Sequence, residues 1–199
     1  MKPSPEERKA PRPEVALFYS RSADCADLGP AIPKNWRKRL SNFWPGDVYL
    51  DDPSPLGRLR FPSVEHCFQA LKARRASDMP DMANEFVMGG RVGNDPKDAK
   101  VAGSRKAYAK RGATLDAHKW NACRDDIMRL AVCSRASCDG EFCDILRATK
   151  GMTLLHLEPR GLAHTLYWGG RVDKKTGVLV GENKLGKTLM EIREELLKA

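Results

Sequence analysis

The chain has 199 residues, enough for one domain with a proper core, and its 41% hydrophobic and 31% charged residues exclude a fibre and a fully disordered chain. A net charge of +9 points toward anionic partners, while the longest apolar runs, such as Val15 to Tyr19, fall far short of the roughly 20 residues a bilayer span needs. The opening MKPSPEERKAPRPE has no apolar stretch of signal length behind its charges, so the protein is expected to stay in the cytoplasm where it is made.

Residues 1–13, with prolines at 3, 5, 11 and 13, read as a disordered tail ahead of a single domain over 14–199. Val15 to Tyr19 is rich in strand formers, and Ser20 to Arg39, with Gly29, Pro30 and Pro33, reads as a loop. Val48 to Leu50 and Arg58 to Phe61 flank Asp51, Asp52, Pro53, Pro55 and Gly57, which predicts a hairpin with a long turn. After Pro62 the period changes. Ser63 can cap a helix whose apolar positions Val64, Cys67, Phe68 and Leu71 follow the 3.6-residue repeat. Further helices are expected at 80–88, 96–110, 116–134 and 139–149, with Asp116 and Asp139 as N-caps of the last two. Thr153 to Leu157 is a strand candidate and Val172 to Val180 a small hairpin. Leu185, Leu189, Ile192 and Leu196 share one face of a closing helix. The fold class that follows is α+β, mainly helical and compact, with a few short strands and hairpins.

Six cysteines and four histidines raise the question of a metal. Cys133, Cys138 and Cys143 recur every five residues, no C-x-x-C or H-x-x-x-H occurs, and reduced thiols with no metal are expected. Basic residues crowd Lys97, Lys100, Arg105, Lys106, Lys110, Arg111, Lys119 and Arg124. Such a cluster can follow phosphates or simply form a solvated helix face.

The helix after Pro62 carries the most suggestive constellation. Glu65, Gln69 and Lys72 stand at i, i+4 and i+7, on one stripe beside the apolar one. A carboxyl and an amine at the edge of a core are partly desolvated, which moves both toward neutrality and suits acid–base or nucleophilic work. A plain helix boundary has the same pattern. Asn42-Phe43-Trp44 before Pro45-Gly46, and Tyr167-Trp168 before Gly169-Gly170, place flat rings beside glycines, as base stacking or ordinary core packing both require. In Gly181 to Gly186 the backbone amides and Asn183 can hold a phosphate or a ribose hydroxyl at a helix N-terminus. Gly181, Gly186, Lys187 and Thr188 match the phosphate-loop spacing in letters alone, since no alternating strand–helix units surround them.

Taken in order, these segments resemble a known family. Leu40-Ser41-Asn42-Phe43-Trp44-Pro45, then Ser63-Val64-Glu65-His66-Cys67-Phe68-Gln69-Ala70-Leu71-Lys72, are similar to the opening blocks of NADAR/YbiA-like proteins. Trp120 with Met128, Leu146 to Thr149, Tyr167-Trp168-Gly169, and Gly181 to Lys187 followed by Leu189 to Arg193 resemble the later ones. The resemblance runs from about Phe18 to Leu197 and implies N-glycosidic hydrolysis without a metal or other cofactor. The substrates it implies are ADP-ribosylated guanine in nucleotides or nucleic acid, or phosphoribosylamino-pyrimidine intermediates of riboflavin synthesis. A non-catalytic module binding ADP-ribose or NAD is the alternative from another class.

By position the resemblance makes Glu65 the acid–base residue and Lys72 the group that engages the ribose carbon. Asn42, Phe43, Trp44, His66, Gln69, Trp120, Glu158, Trp168, Gly169 and Asn183 are then the expected substrate contacts. One departure stands out. Where many members carry a glutamate in an L-x-E block, strict spacing here gives His156 and a two-residue shift gives Glu158. Oligomeric state is left open by the sequence.

Overall fold

The structure is a computed structural model and describes residues 15–51, 57–160, 162, 165–173 and 175–199. The expected N-terminal tail, the centre of the first hairpin's turn and Lys174 of the second lie outside the described residues. Strand β1 (Val15–Phe18) pairs in parallel with β4 (Thr153–His156), Val15 opposite Thr153 and Phe18 opposite His156. Among the described residues two antiparallel pairs complete the strands: β2 (Val48–Asp51) with β3 (Arg58–Phe61), and β5 (Arg171–Val172) with β6 (Leu179–Val180). All three pairs are short, and helices dominate, as the α+β reading requires.

Helix α2 (Val64–Ala76) is the centre of the molecule. Ser63 caps it, its hydroxyl accepting from the His66 amide, and every residue from Val64 to Ala73 is buried. The sequence pattern suggests a helix with one wet edge. Instead α2 is enclosed by a 3₁₀ segment (Pro80–Phe86), by α3 (Pro96–Ala102) and by α5 (Ala117–Ala136). The capping aspartates act as expected: Asp116 accepts from the amides of His118 and Lys119, and Asp139 from that of Phe142 at the start of α6 (Gly140–Ala148). Helix α7 (Lys184–Leu196) buries Leu185, Leu189 and Ile192 and packs on β4 and α6. Among the described residues no helix is long and apolar enough to cross a membrane.

Three expectations are corrected. The loop from Ser20 to Arg39 ends in a short helix, α1 (Trp36–Arg39), because Trp36 is driven into the core and its indole N–H is met by Asp27 Oδ1 at 2.8 Å. The helix expected over 80–88 is the 3₁₀ segment, ended by extended backbone at Val87 and a left-handed turn at Gly89. The helix expected over 96–110 is broken into α3 and α4 (Arg105–Lys110), with Gly103 closing the first and Ser104 capping the second. The break has a long-range cause. A Cβ on Gly103 would collide with the Gln69 carboxamide, and the Gly103 carbonyl accepts from Lys72 Nζ at 2.5 Å.

Asn183, at the head of α7, is buried in the left-handed conformation (φ 50°). Its Nδ2 donates to the Leu154 carbonyl at 2.8 Å and its Oδ1 accepts from the His156 amide at 3.1 Å. The side chain thus pins α7 to β4 by bonding two of its backbone groups. Asn183→Ala should lower the unfolding free energy by about 1–3 kcal/mol, the scale of buried groups left unpaired, read by chemical denaturation.

Candidate active site

Between α2, the Ser41–Phe43 turn, α5 and the end of β4 lies a cavity of about 620 Å³. The turn is fixed to the head of α2 by the Glu65 amide, which donates to the Asn42 carbonyl at 3.1 Å. Asn42 Nδ2 points at Met128 Sδ, 3.2 Å away. From α2 the cavity receives Glu65, Phe68, Gln69 and Lys72. The rings of Trp120 and Trp168 stand edge-on to Phe68, at 5.5 and 5.4 Å between centroids, and with Phe43 they give the cavity aromatic walls.

The polar groups of α2 form a relay. Gln69 Nε2 donates to Glu65 Oε1 at 2.8 Å, which leaves its carbonyl oxygen to face Lys72 Nζ at 3.5 Å. Burial raises the Glu65 carboxyl above its ordinary range, while the Gln69 hydrogen bond and the charges of Lys100 and Lys72 pull the other way. Burial likewise lowers the Lys72 amine from 10.5 to about 8, against the pull of Glu65 and helped by Arg105. About a tenth of the Lys72 amine is then neutral at pH 7. The Trp120 and Tyr108 rings lie 5.1 and 5.8 Å from Nζ and stabilise the charged remainder.

The opposite wall is the end of β4. His156 and Glu158 both line the cavity, because residues two apart on extended backbone face the same side. The two positions between which the sequence pattern hesitates are therefore both in the site. Burial lowers the His156 imidazole to about 4 and raises the Glu158 carboxyl.

Of the twelve candidate residues, Glu65, Lys72, Asn42, Phe43, Gln69, Trp120, Glu158 and Trp168 line this cavity. The other four lie outside the lining. Trp44 is covered by the Arg39 guanidinium, 4.7 Å from its ring. His66, itself on α2, is buried and bonded to Ser63 Oγ (2.8 Å) and the Gly93 carbonyl (3.1 Å), so it ties two segments together. Gly169 is where backbone passes under Glu158: a Cβ there would strike that side chain and the His156 carbonyl. Asn183 is occupied with β4, and Gly186 beside it is packed against the Leu154 carbonyl, so the glycines of this turn serve close packing. Sequence reasoning misses Lys100 and Arg160 as members of the cavity. Lys100 belongs to the basic cluster and lies within α3, its ammonium 5.6 Å from the Phe43 ring. Arg160 has no sequence signal.

Comparison with known proteins places this geometry in a family. A model of the NADAR domain matches residues 33–197. The chain belongs to the NADAR family. That family includes N-glycosidase-like members. A NADAR relative from Zea mays, "Riboflavin biosynthesis protein PYRR, chloroplastic", is 27% identical over 197 residues, 98% of this chain. The chain spans 28% of the length of that relative. The NMR structure of the E. coli protein YbiA has the same fold, with a TM-score of 0.58 at 24% identity over 97% of this chain and 90% of that one.

The buried amine carries a stability signature. The folded protein holds its Lys72 proton less tightly than the unfolded chain, so between pH 8 and 10.5 the unfolded state binds more protons and stability rises with pH. Lys72→Met removes this dependence. Relative to that variant, the wild type should gain on the order of 2 kcal/mol between pH 7 and 10, measured by denaturant titration at each pH.

Proposed function

We propose that the protein is an N-glycosidase that hydrolyses the bond between a ribose carbon and an amino nitrogen, with ADP-ribosylated guanine in nucleotides or nucleic acid as its substrate. The observation that carries this reading is the buried Glu65–Gln69–Lys72 relay opening on an aromatic-walled cavity. The cavity volume falls within the range of about 300–1,000 Å³ that small-molecule sites occupy. Its flat rings suit a base, and Lys100 and Arg160 supply positive charge for phosphates. Lys97, Arg105, Lys106 and Lys110, exposed on and beside the helix that carries Lys100, favour a polyanionic substrate over a small one.

Breaking a ribose–nitrogen bond leaves positive charge on the sugar carbon and an electron pair on the departing amine. Glu65 in its acid form protonates that amine; its carboxylate then takes a proton from water as the water oxygen bonds to the carbon. Where the sugar opens to an iminium, neutral Lys72 adds to the same carbon, the amine leaves, and water releases the resulting Schiff base. Gln69 couples the two groups and holds each in place.

The maize relative's name favours a second reading, a phosphoribosylamino-pyrimidine intermediate of riboflavin synthesis as substrate. Incubation with guanine-ADP-ribosylated DNA and, separately, with that pyrimidine, followed by mass spectrometry, decides between them: release of ADP-ribose supports the first, release of ribose phosphate the second. Release of neither, together with tight binding of ADP-ribose, would establish a non-catalytic binding module instead. Glu65→Gln should reduce turnover at least about a hundredfold with folding retained, the usual scale for a lost general acid. Borohydride added during turnover should trap a covalent adduct on Lys72; turnover that leaves Lys72 unmodified would remove the lysine from the reaction path.

A further inference from the structure

Among the described residues five arginines lie over aromatic rings, and four of these are also neutralised by a carboxylate. Arg37 over Trp36 pairs with Asp27, Arg39 over Trp44 with Glu141, Arg58 over Tyr49 with Asp51, and Arg135 over Phe142 with Asp139. Arg124 is the exception. Its guanidinium carbon stands 3.5 Å from the Tyr167 ring centroid, nearer than in the other four, yet no carboxylate among the described residues pairs with it.

The acids beside it are committed elsewhere. Asp125 Oδ1 accepts from the Tyr167 hydroxyl at 2.5 Å, and its Oδ2 pairs with Lys184 Nζ at 3.0 Å. Asp126 follows Arg124 by two positions, and side chains at that spacing do not face each other on a helix. Arg124 Nε is buried without a hydrogen-bond partner. The two terminal nitrogens also lack a partner among the described residues, and they are not buried. The ring therefore holds the guanidinium flat while the protein offers it no acceptor. A cation fixed in this way is prepared for an anion from outside.

The surroundings connect this cation to the cavity. On α5 the residues Trp120, Arg124 and Met128 stand at i, i+4 and i+8 on one face, and the first and last of them line the cavity. The Tyr167 ring meets that of Trp168 edge-on at 5.0 Å, and Trp168 is a cavity wall. Leu185, next to Lys184, lines it too. Arg124 is outside the lining, so it stands at the rim between residues that form the wall. Lys100 reaches the cavity from α3 and Arg160 from the chain after β4; Arg124 adds a cation from a third element.

We infer that Arg124 is a specificity residue of this site and binds a phosphate group carried on the ligand's ribose, with Tyr167 as its positioning residue. A guanidinium presents paired N–H groups that match two oxygens of one phosphate, and an aromatic bed fixes the plane in which they point. The inference rests on the ribosyl-substrate reading above. It does not depend on which of the two substrates is turned over, because ADP-ribose and a phosphoribosyl group both carry a phosphate on the ribose.

Calorimetric titration of the full chain with ribose 5-phosphate and with ADP-ribose tests it without turnover. Arg124→Gln should weaken binding at least about tenfold, the scale of a lost charge-assisted hydrogen bond, and Arg124→Lys should fall between the two. Lys150→Gln, which removes an exposed charge at the end of α6, should bind as the wild type does. Tyr167→Leu should weaken binding several-fold, and Tyr167→Phe, which keeps the ring, should restore most of it. A loss with both probes assigns Arg124 to the phosphate nearest the reacting ribose; a loss with ADP-ribose alone assigns it to the diphosphate, and either supports the inference. Unchanged affinity in Arg124→Gln, an equal loss in Lys150→Gln, or a wild type that binds neither probe would overturn it. Equal losses in Tyr167→Leu and Tyr167→Phe would refute the positioning role. A protein that binds these probes through Arg124 but hydrolyses neither substrate sinks the glycosidase reading alone; hydrolysis with KM and Kd unmoved in Arg124→Gln sinks this inference alone.

Discussion

The whole arrangement depends on taking one amine out of water. Lys72 is 9% exposed, and an isolated ammonium at that depth is strongly disfavoured. The protein answers with a carbonyl at 2.5 Å, a carboxamide at 3.5 Å and two aromatic faces. That carbonyl belongs to Gly103, and it is available because α3 stops there. The lack of a side chain at Gly103 lets the corner come against Gln69, and Gln69 in turn orients Glu65. Removing any one of these features leaves a buried polar group without its partner.

The two sides of the cavity differ in rigidity and in chemistry. On one side three polar side chains share a single buried helix, so their spacing is set by the helical repeat and varies little. On the other, His156 and Glu158 hang from a strand end held by Phe18, Gly170 and Asn183 through backbone hydrogen bonds. Between them stand Phe68, Trp120 and Trp168, whose edge-on contacts leave flat faces for a ligand. His156 and Glu158, two residues apart, both line the cavity from the strand side.

Much of the fold is legible locally. Ser63, Asp116 and Asp139 announce helix starts with side chains whose hydrogen bonds are made within three residues, and the hairpins announce themselves by turn residues. What escapes local reading is set by distant partners. Gly103 and Ser104 close one helix and cap the next locally, while the contacts that fix the corner between them come from Gln69 and Lys72, more than 30 positions earlier. The depth of α2 is hidden too, since a stripe of Glu, Gln and Lys looks the same at a wet edge as inside a core. For the cavity, residue types and order pointed to the α2 stripe and to aromatic residues that line it. Trp44, His66, Gly169 and Asn183 lie outside its lining, their polar atoms, ring or backbone engaged by Arg39, Gly93, Glu158 and Leu154 respectively. Such engagement is a tertiary fact that composition does not carry.

The parallel pairing of β1 with β4 joins residues near 15 to residues near 155, with α2 and α5 between them in the chain. Strand pairing over such a separation is a late event in folding, because a long loop must close before any bond rewards it. On a ribosome, the wall that bears His156 and Glu158 cannot assemble until most of the polypeptide has emerged. The nascent protein therefore passes through a stage in which Glu65 and Lys72 have been made but the β4 wall opposite them has not.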